Sequence, residues 1–535
     1  MAGRPPFTNV DRETAAGLRR SGFNPRELDR AAEQLLAYVS TELLPAPPVS
    51  EAPLRSLVTT DADGVDRISA LLRSIGSRLP ASEAPAHDPV ITGAAHDPAL
   101  PAADGVDRLS ALPDALLRHI VSRLPPVVVD ASLRPDDYAW PPTPANTPAI
   151  TAAVSGILEA HPGPFRCVHL TCSHMGAHQA QLARWLQLLA AKGVQELVLV
   201  NRPWPFDVPL PDTLFGISTL VRLYIGLWKL PDTAGLRGAC FPNLRELGIC
   251  TVVMEQGDVE SIVASSPVLE ILNVQGSHRG LRLRLVSQSL RCVQVCSSVV
   301  ESIMVVKAPC LERLVLEGCR HTAAGLSTRV SIVDAPKLHS LGSLEPGNHV
   351  LEIRGTIITA GVKVSRSSIL TSIRTLSLHV RFAVPNEANM VSTYLQFCPN
   401  VVRLHITSRK CNQHTGNLRL NCKVGPTDSA MSRIKVMYFR EFRGEQSEIA
   451  FLKLFYKSAK MLEAAVVIMA NPSFTPFRAD VAFSRAWQAS KVSRCQASMV
   501  LEGTGPEGGK AWSFKNASYF PSEEILPTKV INLGQ

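Results

Sequence analysis

Residues 268–274 read VLEILNV, and this arrangement of apolar residues recurs five more times between residues 194 and 316. In each copy, one apolar residue is followed three and five positions later by two others. The steps between successive copies are 26, 24, 25, 21 and 21 residues, counted from Val194, Leu220, Leu244, Leu269, Leu290 and Leu311. Such a segment is a short strand that cannot bury its apolar edge alone, so neighbouring units must stack.

A proline lies two residues before several of these register positions and before two later segments, KLHSL and VVRLHI. The prolines are Pro242, Pro267, Pro309, Pro336 and Pro399. A step of about 20–29 residues with the pattern L-x-x-L-x-L is typical of a leucine-rich-repeat solenoid. The alternative is a chance series of amphipathic strands in an ordinary α/β domain, which the shared register disfavours. We predict an α/β fold with leucine-rich repeats over residues 150–355 and irregular or atypical repeats over 356–430.

The middle residue of each strand is predicted to face the concave side of the solenoid, because successive side chains of a strand point to opposite faces. Six middle residues would then form one row: Val198, Tyr224, Gly248, Asn273, Gln294 and Val315. A mixed row that carries an aromatic side chain suits a protein partner. We expect Val198, Tyr224, Asn273, Gln294 and Val315 to contact an unknown protein substrate.

The composition argues against membrane and nucleic-acid partners. Of the 535 residues 45% are hydrophobic, and no apolar run reaches the roughly 18 residues of a membrane span. The N-terminal segment lacks the apolar core of a secretion signal. We therefore expect a cytoplasmic and/or nuclear protein whose 12 cysteines are reduced thiols. The formal net charge of +9 is spread along the chain, whereas nucleic-acid binding calls for a concentrated basic stripe.

Two short segments nearer the N-terminus are almost the same string. Residues 104–126 read DGVDRLSALPDALLRHIVSRLPP, and residues 63–80 read DGVDRISALLRSIGSRLP. In the longer copy Pro113 suits the first helical position, and Asp114 favours the positive end of the helix. The apolar face of this helix is Leu116, Leu117, Ile120, Val121 and Leu124. A helix of about twelve residues is marginal alone, so this face must pack against its own domain or a partner.

The stretch from Asp107 to Pro125 closely resembles the first half of the F-box of plant F-box proteins. The repeats after it look like the leucine-rich region of these proteins, and residues 431–470, with RIKVMYF, are similar to their FBD segment. The resemblance implies a substrate-recognition adaptor of an SCF-type ubiquitin ligase. In that family the F-box binds the Skp-type adaptor subunit, which bridges to a cullin, while the repeats hold the target protein. The Skp-binding residues that the resemblance implies are Leu109, Leu112, Pro113, Leu116, Leu117, Ile120 and Leu124.

The F-box departs from the family pattern in one respect. The family continues with a helix rich in small and basic residues, whereas this chain runs from LPPVVVDASLRPDD into a proline-rich stretch. The second half of the F-box is therefore missing. The copy at 61–80 also lacks the Pro-Asp-Ala-Leu turn of 113–116, and we interpret it as a decayed duplicate. The alternative function is a leucine-rich-repeat binding scaffold that is not attached to a ligase.

The remaining segments show no chemistry of their own. Residues 1–60 are predicted to form a helical segment and linker, and residues 471–535 to form strands and turns. Five potential zinc ligands lie close in sequence: Cys167, His169, Cys172, His174 and His178. A second pair of ligands at the spacing of a zinc site is missing. Residues 503–508 fit the pattern G-x-G-x-x-G, but the sequence predicts no helix after them, as a dinucleotide site would require. We expect no metal, no cofactor and no catalysis; an enzyme within 356–535 is the weaker rival.

Overall fold

The computed structural model describes residues 147–161, 163–173, 175–202, 208–232, 236, 238–277, 279–319, 327–410, 431–470, 477–490, 496–500 and 530–532. The predicted N-terminal helical segment (1–60), the degenerate copy (61–80) and the F-box half (104–126) lie outside the described residues. The described part is an α/β structure built around a 14-stranded sheet. The predicted α/β class is therefore confirmed.

The large sheet adds its strands in chain order, as stacked repeats require. Its strands pair in parallel, except for the last pair, which is antiparallel. They are β1 (Cys167–Ser173), β2 (Glu196–Arg202), β3 (Arg222–Gly226), β4 (Glu246–Cys250), β5 (Ile271–Gln275), β7 (Cys292–Cys296), β9 (Arg313–Glu317), β11 (Ser340–Leu344), β14 (Thr375–Val380), β15 (Arg403–Ser408), β16 (Val436–Phe442), β17 (Ala464–Met469), β18 (Gln496–Val500) and β19 (Val530–Asn532). Strands β2, β3, β4, β5, β7 and β9 each begin two residues after a predicted register position.

The apolar residues of the repeat form one continuous core along the sheet. All six predicted register residues are fully buried in it, as are the two apolar residues that follow each of them, such as Leu272 and Val274 in β5. Each aliphatic side chain buried in this way stabilises the fold by roughly 1.5–3 kcal/mol. The core therefore depends on stacking, because each unit supplies only a few of these side chains.

A second, smaller sheet of five strands forms the other side of the middle repeats. Its order is β13 (Thr356–Ile357), β12 (His349–Ile353), β10 (Thr328–Ile332), β8 (Val300–Lys307) and β6 (Leu281–Val286). The two 21-residue units return through β6 and β8, whereas the 25-residue unit returns through helix α3 (Asp258–Ala264). A strand advances about 3.3 Å per residue and a helix about 1.5 Å, so a return strand spans the unit with fewer residues.

The large sheet does not end at residue 355, where the repeat pattern weakens. Strands β14 to β18 extend it in parallel. Helices α4 (Pro385–Phe397), α5 (Gln446–Ser458) and α6 (Ala479–Ser490) lie in its connections. The buried residues Ile373, Val401, Ile434 and Leu462 take the register role, at steps of 28, 33 and 28 residues. The pattern weakens because the steps lengthen, and the predicted boundary at 355 is not a break in the sheet.

The first end of the sheet is flanked by helices α1 (Thr147–Ala160) and α2 (Gln179–Ala191). They are tied together by the Trp185 indole N–H, which donates to Ser155 Oγ at 2.9 Å, and by an Arg184–Glu159 ion pair. Within the described ranges, no helix combines the length and apolar character that crossing a membrane requires.

Candidate binding face of the large sheet

The structure places the predicted middle residues in one row across adjacent strands. Strand by strand, Cα pairing joins Val198, Tyr224, Gly248, Asn273, Gln294 and Val315. The row continues through Gly342, Ser377, His405, Tyr438 and Val466. We call these residues the middle row, and the face of the sheet that carries them the middle-row face.

The first half of the middle row is closed to solvent. Val198 is 5% exposed and Val315 is 3% exposed, while Tyr224, Asn273 and Gln294 are 0% exposed. The apolar members do not belong to the continuous core, so they are buried on the opposite face of the sheet. The predicted contact of these five residues with a substrate stays a prediction.

Close packing between neighbouring strands explains part of this closure. The ring of Tyr224 occupies the space above Gly248, since a Cβ placed at Gly248 would lie 2.1 Å from Cδ1 of the ring. On the other side of Gly248 lies Asn273, whose two amide atoms are buried and have no hydrogen-bond partner among the described residues. An unsatisfied buried amide is costly, so the burial of Asn273 lowers the stability of this part of the sheet.

One rim of the sheet carries a ladder of alternating charges. Arg245 contacts Glu270, and Arg291 lies 3.7 Å from Glu270 and 3.0 Å from Glu312. The ladder ends at His339, whose Nε2 lies 3.9 Å from Glu312. Arg245 and Arg291 are largely exposed, so each pair is worth at most about 1 kcal/mol. The ladder arises because one residue per repeat occupies the position before each strand.

A cluster of charged side chains occupies the carboxyl ends of β9, β11, β14 and β15. The carboxylate of Glu317 accepts a hydrogen bond from Ser343 Oγ at 2.9 Å and lies 3.6 Å from His379 Nε2. The carboxylate of Glu345 lies 3.5 Å from His379 Nδ1 and 2.5 Å from a guanidinium nitrogen of Arg409. Two carboxylates thus flank one imidazole, and an arginine neutralises one of them.

The protonation of this cluster follows from its contacts. Burial favours the neutral form of Glu345, but the hydrogen bond to His379 and the charge of Arg409 lower the pKa of its carboxyl to about 2. Burial also disfavours the charged form of His379, yet Glu317 and Glu345 together raise the pKa of its imidazole. Arg409 opposes this rise, because its guanidinium lies 3.0 Å from Nδ1. The guanidinium of Arg409 therefore offsets the charge of Glu345, and the two carboxylates favour the protonated form of His379.

Beyond this cluster the middle-row face is partly accessible at β16, although His405 and Val466 on either side are buried. In β16, Tyr438 and Arg440 are half-buried, while the alternating residues Met437 and Phe439 are fully buried in the core. His405 of β15 lies beside Tyr438, and the two rings stack with their centroids 4.9 Å apart and an interplanar angle of 12°. The accessible part of the face therefore lies further along the chain than the predicted row.

An arginine lies on each side of this ring pair. Arg403 precedes His405 by two residues on β15, and Arg440 follows Tyr438 by two residues on β16. Across the ranges that the structure describes, neither guanidinium makes a side-chain hydrogen bond or lies within 4.0 Å of a carboxylate. Burial, Arg440 and Arg403 together lower the pKa of His405 to about 3, so its imidazole is neutral near pH 7. Neither positive charge therefore has a directly bonded counter-ion among the described residues.

Sequence reasoning did not identify Arg403, His405, Tyr438 or Arg440 as site residues. Their strands were recognised as VVRLHI and RIKVMYF, but the register was carried only as far as Val315. Extending the L-x-L alignment to these two strands gives the middle positions His405 and Tyr438. The L-x-L pattern therefore extends to these two strands, but the longer steps between repeats after residue 355 made it difficult to recognise.

Of the potential zinc ligands, His174 lies outside the part of the chain that the structure describes. Within the described part, no group of three or more His, Cys, Asp or Glu side chains is arranged to hold a metal ion. Cys167 and His169 both lie on β1, where Sγ and Nε2 are 3.3 Å apart. Burial raises the pKa of the Cys167 thiol to about 12, so it is protonated near pH 7.

Comparison with known proteins gives matches over the same regions. Residues 182–406 match the family model described as "FBD-associated F-box protein At5g56370, LRR repeats", and residues 425–467 match the FBD model. The F-box/LRR-repeat protein At3g26922 of Arabidopsis thaliana is 28% identical over 183 residues, which are 31% of this chain and 59% of that relative. The chain thus spans less than two thirds of that relative's length. The predicted combination of leucine-rich repeats and a following FBD segment is confirmed.

Proposed function

We propose that this chain, whose leucine-rich repeats and FBD segment are of the FBD-associated F-box type, is a substrate-recognition adaptor of an SCF-type ubiquitin ligase. The observation that carries the proposal is the match of residues 182–406 to the repeats of such F-box proteins, followed in order by the FBD match. The F-box-like string at 104–126 precedes both in the sequence. In this proposal the repeats bind a target protein, and the F-box links it to the Skp-type subunit and a cullin.

In this proposal, the affinity for the Skp-type subunit depends on the F-box half. The helix predicted from residue 113 would bury five aliphatic side chains, each worth roughly 1.5–3 kcal/mol when fully covered. Ordering the backbone costs about 1–2 kcal/mol per residue. A complete F-box has further helices that share this cost and widen the interface. We therefore expect binding to the Skp-type subunit to be weak and to depend on Leu116 and Leu117.

The first experiment tests the link directly. An immobilised plant Skp-type subunit should retain the purified full chain, and Leu116→Asp combined with Leu117→Asp should abolish retention. Arg118→Asp adds a negative charge outside the apolar face predicted for this segment and should retain most of the binding. Deletion of residues 61–80 should leave retention unchanged. Equal loss from that deletion and from the double substitution would show that the shorter copy is a working part.

A binding scaffold without a ligase is the second candidate function. The observation in its favour is that the F-box string runs into a proline-rich stretch where a second helix is expected. A scaffold would bind its protein partner through the same repeats but would show no retention on the Skp-type subunit. In both candidates we expect no catalytic step, no cofactor and no metal, and a location in the cytoplasm and/or nucleus.

A further inference from the structure

We propose that strands β15 and β16 of the middle-row face bind an anionic segment of the partner protein, with Arg403 and Arg440 pairing its carboxylate or phosphate groups. The proposed recognition role is thereby given a partner of stated chemistry. The proposal rests on that role in one respect, namely that the ligand is a protein. The stacked pair of His405 and Tyr438 forms the floor between the two arginines.

Arg403 and Arg440 carry positive charges that no bonded carboxylate balances among the described residues. Glu317 and Glu345 make their side-chain contacts with Ser343, His379 and Arg409. Arg403 and Arg440 have no such partner among the described residues. Two cations therefore remain on one accessible surface.

A partly buried cation without a bonded counter-ion costs free energy. Burial lowers the pKa of Arg440, and the carboxylates of Glu317 and Glu441 act on it only as charges and not as bonded partners. A partly buried guanidinium without hydrogen bonds is unfavourable, and a bound carboxylate or phosphate would satisfy its fork of N–H donors. Arginine matches the planar, two-oxygen edge of these anions better than lysine does.

The two arginines lie where solvent reaches the middle-row face. The middle-row residues of β3, β5 and β7 are fully buried. On β15 and β16, by contrast, four side chains are half-buried and can be reached from solvent: Arg403, Thr407, Tyr438 and Arg440. The site is therefore the part of this face where a partner can dock without displacing packed side chains.

A protein segment fits this site better than a nucleic acid does. Single-stranded nucleic acids bind through free aromatic faces on which bases stack, alongside a basic groove. Here one face of Tyr438 is already covered by His405. Two arginines are also far from a basic stripe, so an anionic stretch of polypeptide is the expected ligand.

The test uses the full chain and fluorescein-labelled Gly-Ser peptides that carry several glutamates, phosphoserines or lysines. Fluorescence anisotropy should show binding of the glutamate or phosphoserine peptide, and the tighter of the two identifies the anion. Arg403→Gln with Arg440→Gln should weaken that binding by about tenfold or more, because charge-assisted hydrogen bonds are lost. Arg245→Gln removes an exposed arginine from the rim ladder and should leave the affinity unchanged.

Two further comparisons keep the outcome clear. Arg403→Lys with Arg440→Lys keeps both charges and should bind more tightly than the glutamine variant, while equal thermal unfolding midpoints of all variants would exclude misfolding. Unchanged affinity in the glutamine variant, or equal binding of the lysine peptide, would overturn the proposal. Tighter binding of labelled oligothymidine, lost in the same variant, would assign the site to nucleic acid instead. Retention on the Skp-type subunit does not involve these arginines, so the two proposals fail separately.

Discussion

Tyr224 and Gly248 occupy neighbouring positions of the middle row, and the ring fills the space that a side chain at Gly248 would need. The ring is fully buried, so it cannot swing aside. We predict that Gly248→Ala lowers the free energy of unfolding by about 1–3 kcal/mol, as overpacking does, measured by urea denaturation. Tyr224→Ala in the same chain should relieve the clash, so that the double variant loses less than the two single losses together.

Gly238→Ala is the matched control for this experiment, because a methyl group there meets no atom within 4 Å. It should change the free energy of unfolding little. Additive losses in the double variant would mean that the ring and Gly248 are not in contact, and the row would then be wrongly registered.

Glu448 is a buried carboxyl group in the first turn of α5. Its carboxylate accepts hydrogen bonds from Ser408 Oγ at 2.5 Å and from the backbone N–H groups of Arg443 and Glu445 at 3.0 and 2.9 Å. Burial outweighs these bonds and raises the pKa of Glu448 from 4.5 to about 7. The folded state therefore holds a proton that the unfolded chain releases at lower pH. The resulting stability is complete below pH 4.5 and is lost as the pH rises through 7.

This shift gives a pH prediction. Between about pH 5 and pH 8, the free energy of unfolding of the wild type should fall by up to about 3 kcal/mol relative to that of Glu448→Gln, whose amide does not titrate. Urea denaturation at several pH values measures the difference, and other titrating groups cancel because both chains carry them. The low pKa of Glu345 acts only at more acidic pH. Parallel pH curves for the two chains would show that Glu448 is ionised throughout.

At the residue scale, the alignment of the middle row could be predicted from the L-x-L spacing, because strand alternation fixes which residues share a face. The burial of Tyr224, Asn273 and Gln294 could not, since it depends on how tightly neighbouring strands pack. The lack of a bonded partner for Arg403 and Arg440 among the described residues could not be predicted either, because ion-pair partners come from strands distant in sequence.

At the element scale, the L-x-x-L-x-L repeat does not predict the return strands of the smaller sheet. The sequence of β6 is LRLRLV, and its side chains alternate between buried and exposed positions. This period of two predicts a half-buried strand, but the repeat analysis followed only the L-x-x-L-x-L strands of the large sheet. Helices α4 and α5 fill the same return positions in later repeats, so the return element cannot be inferred from the repeat itself.

The alternation in β6 gives a prediction for paired substitutions. Leu283→Ala should lower the free energy of unfolding by about 2–5 kcal/mol, because it removes a fully buried side chain. Arg282→Ala should lower it by less than about 1 kcal/mol, since its contact with Glu301 is an exposed ion pair. Thermal or urea denaturation measures both. The reverse order of losses would place β6 in the opposite register, with its arginines facing the core.

At the scale of the whole molecule, the leucine-rich repeats and the FBD segment form one uninterrupted sheet rather than separate folds. Strand β15, at the end of the repeat match, pairs with β16 in the FBD match, and the proposed anionic site spans that junction. The order of these regions could be predicted from the sequence because each has its own motif. Their continuity could not, because the connection at 411–430 carries no repeat signal.

Recovery of a cullin with the tagged full chain from plant cell extract tests the adaptor role most directly. We predict that the Skp-type subunit and the cullin are recovered together with the wild-type chain. Both should be lost from Leu116→Asp combined with Leu117→Asp, and both retained by Arg403→Gln combined with Arg440→Gln. Absence of the cullin from the wild-type recovery, with the Skp-type subunit present in the extract, would contradict the adaptor role and favour the binding scaffold.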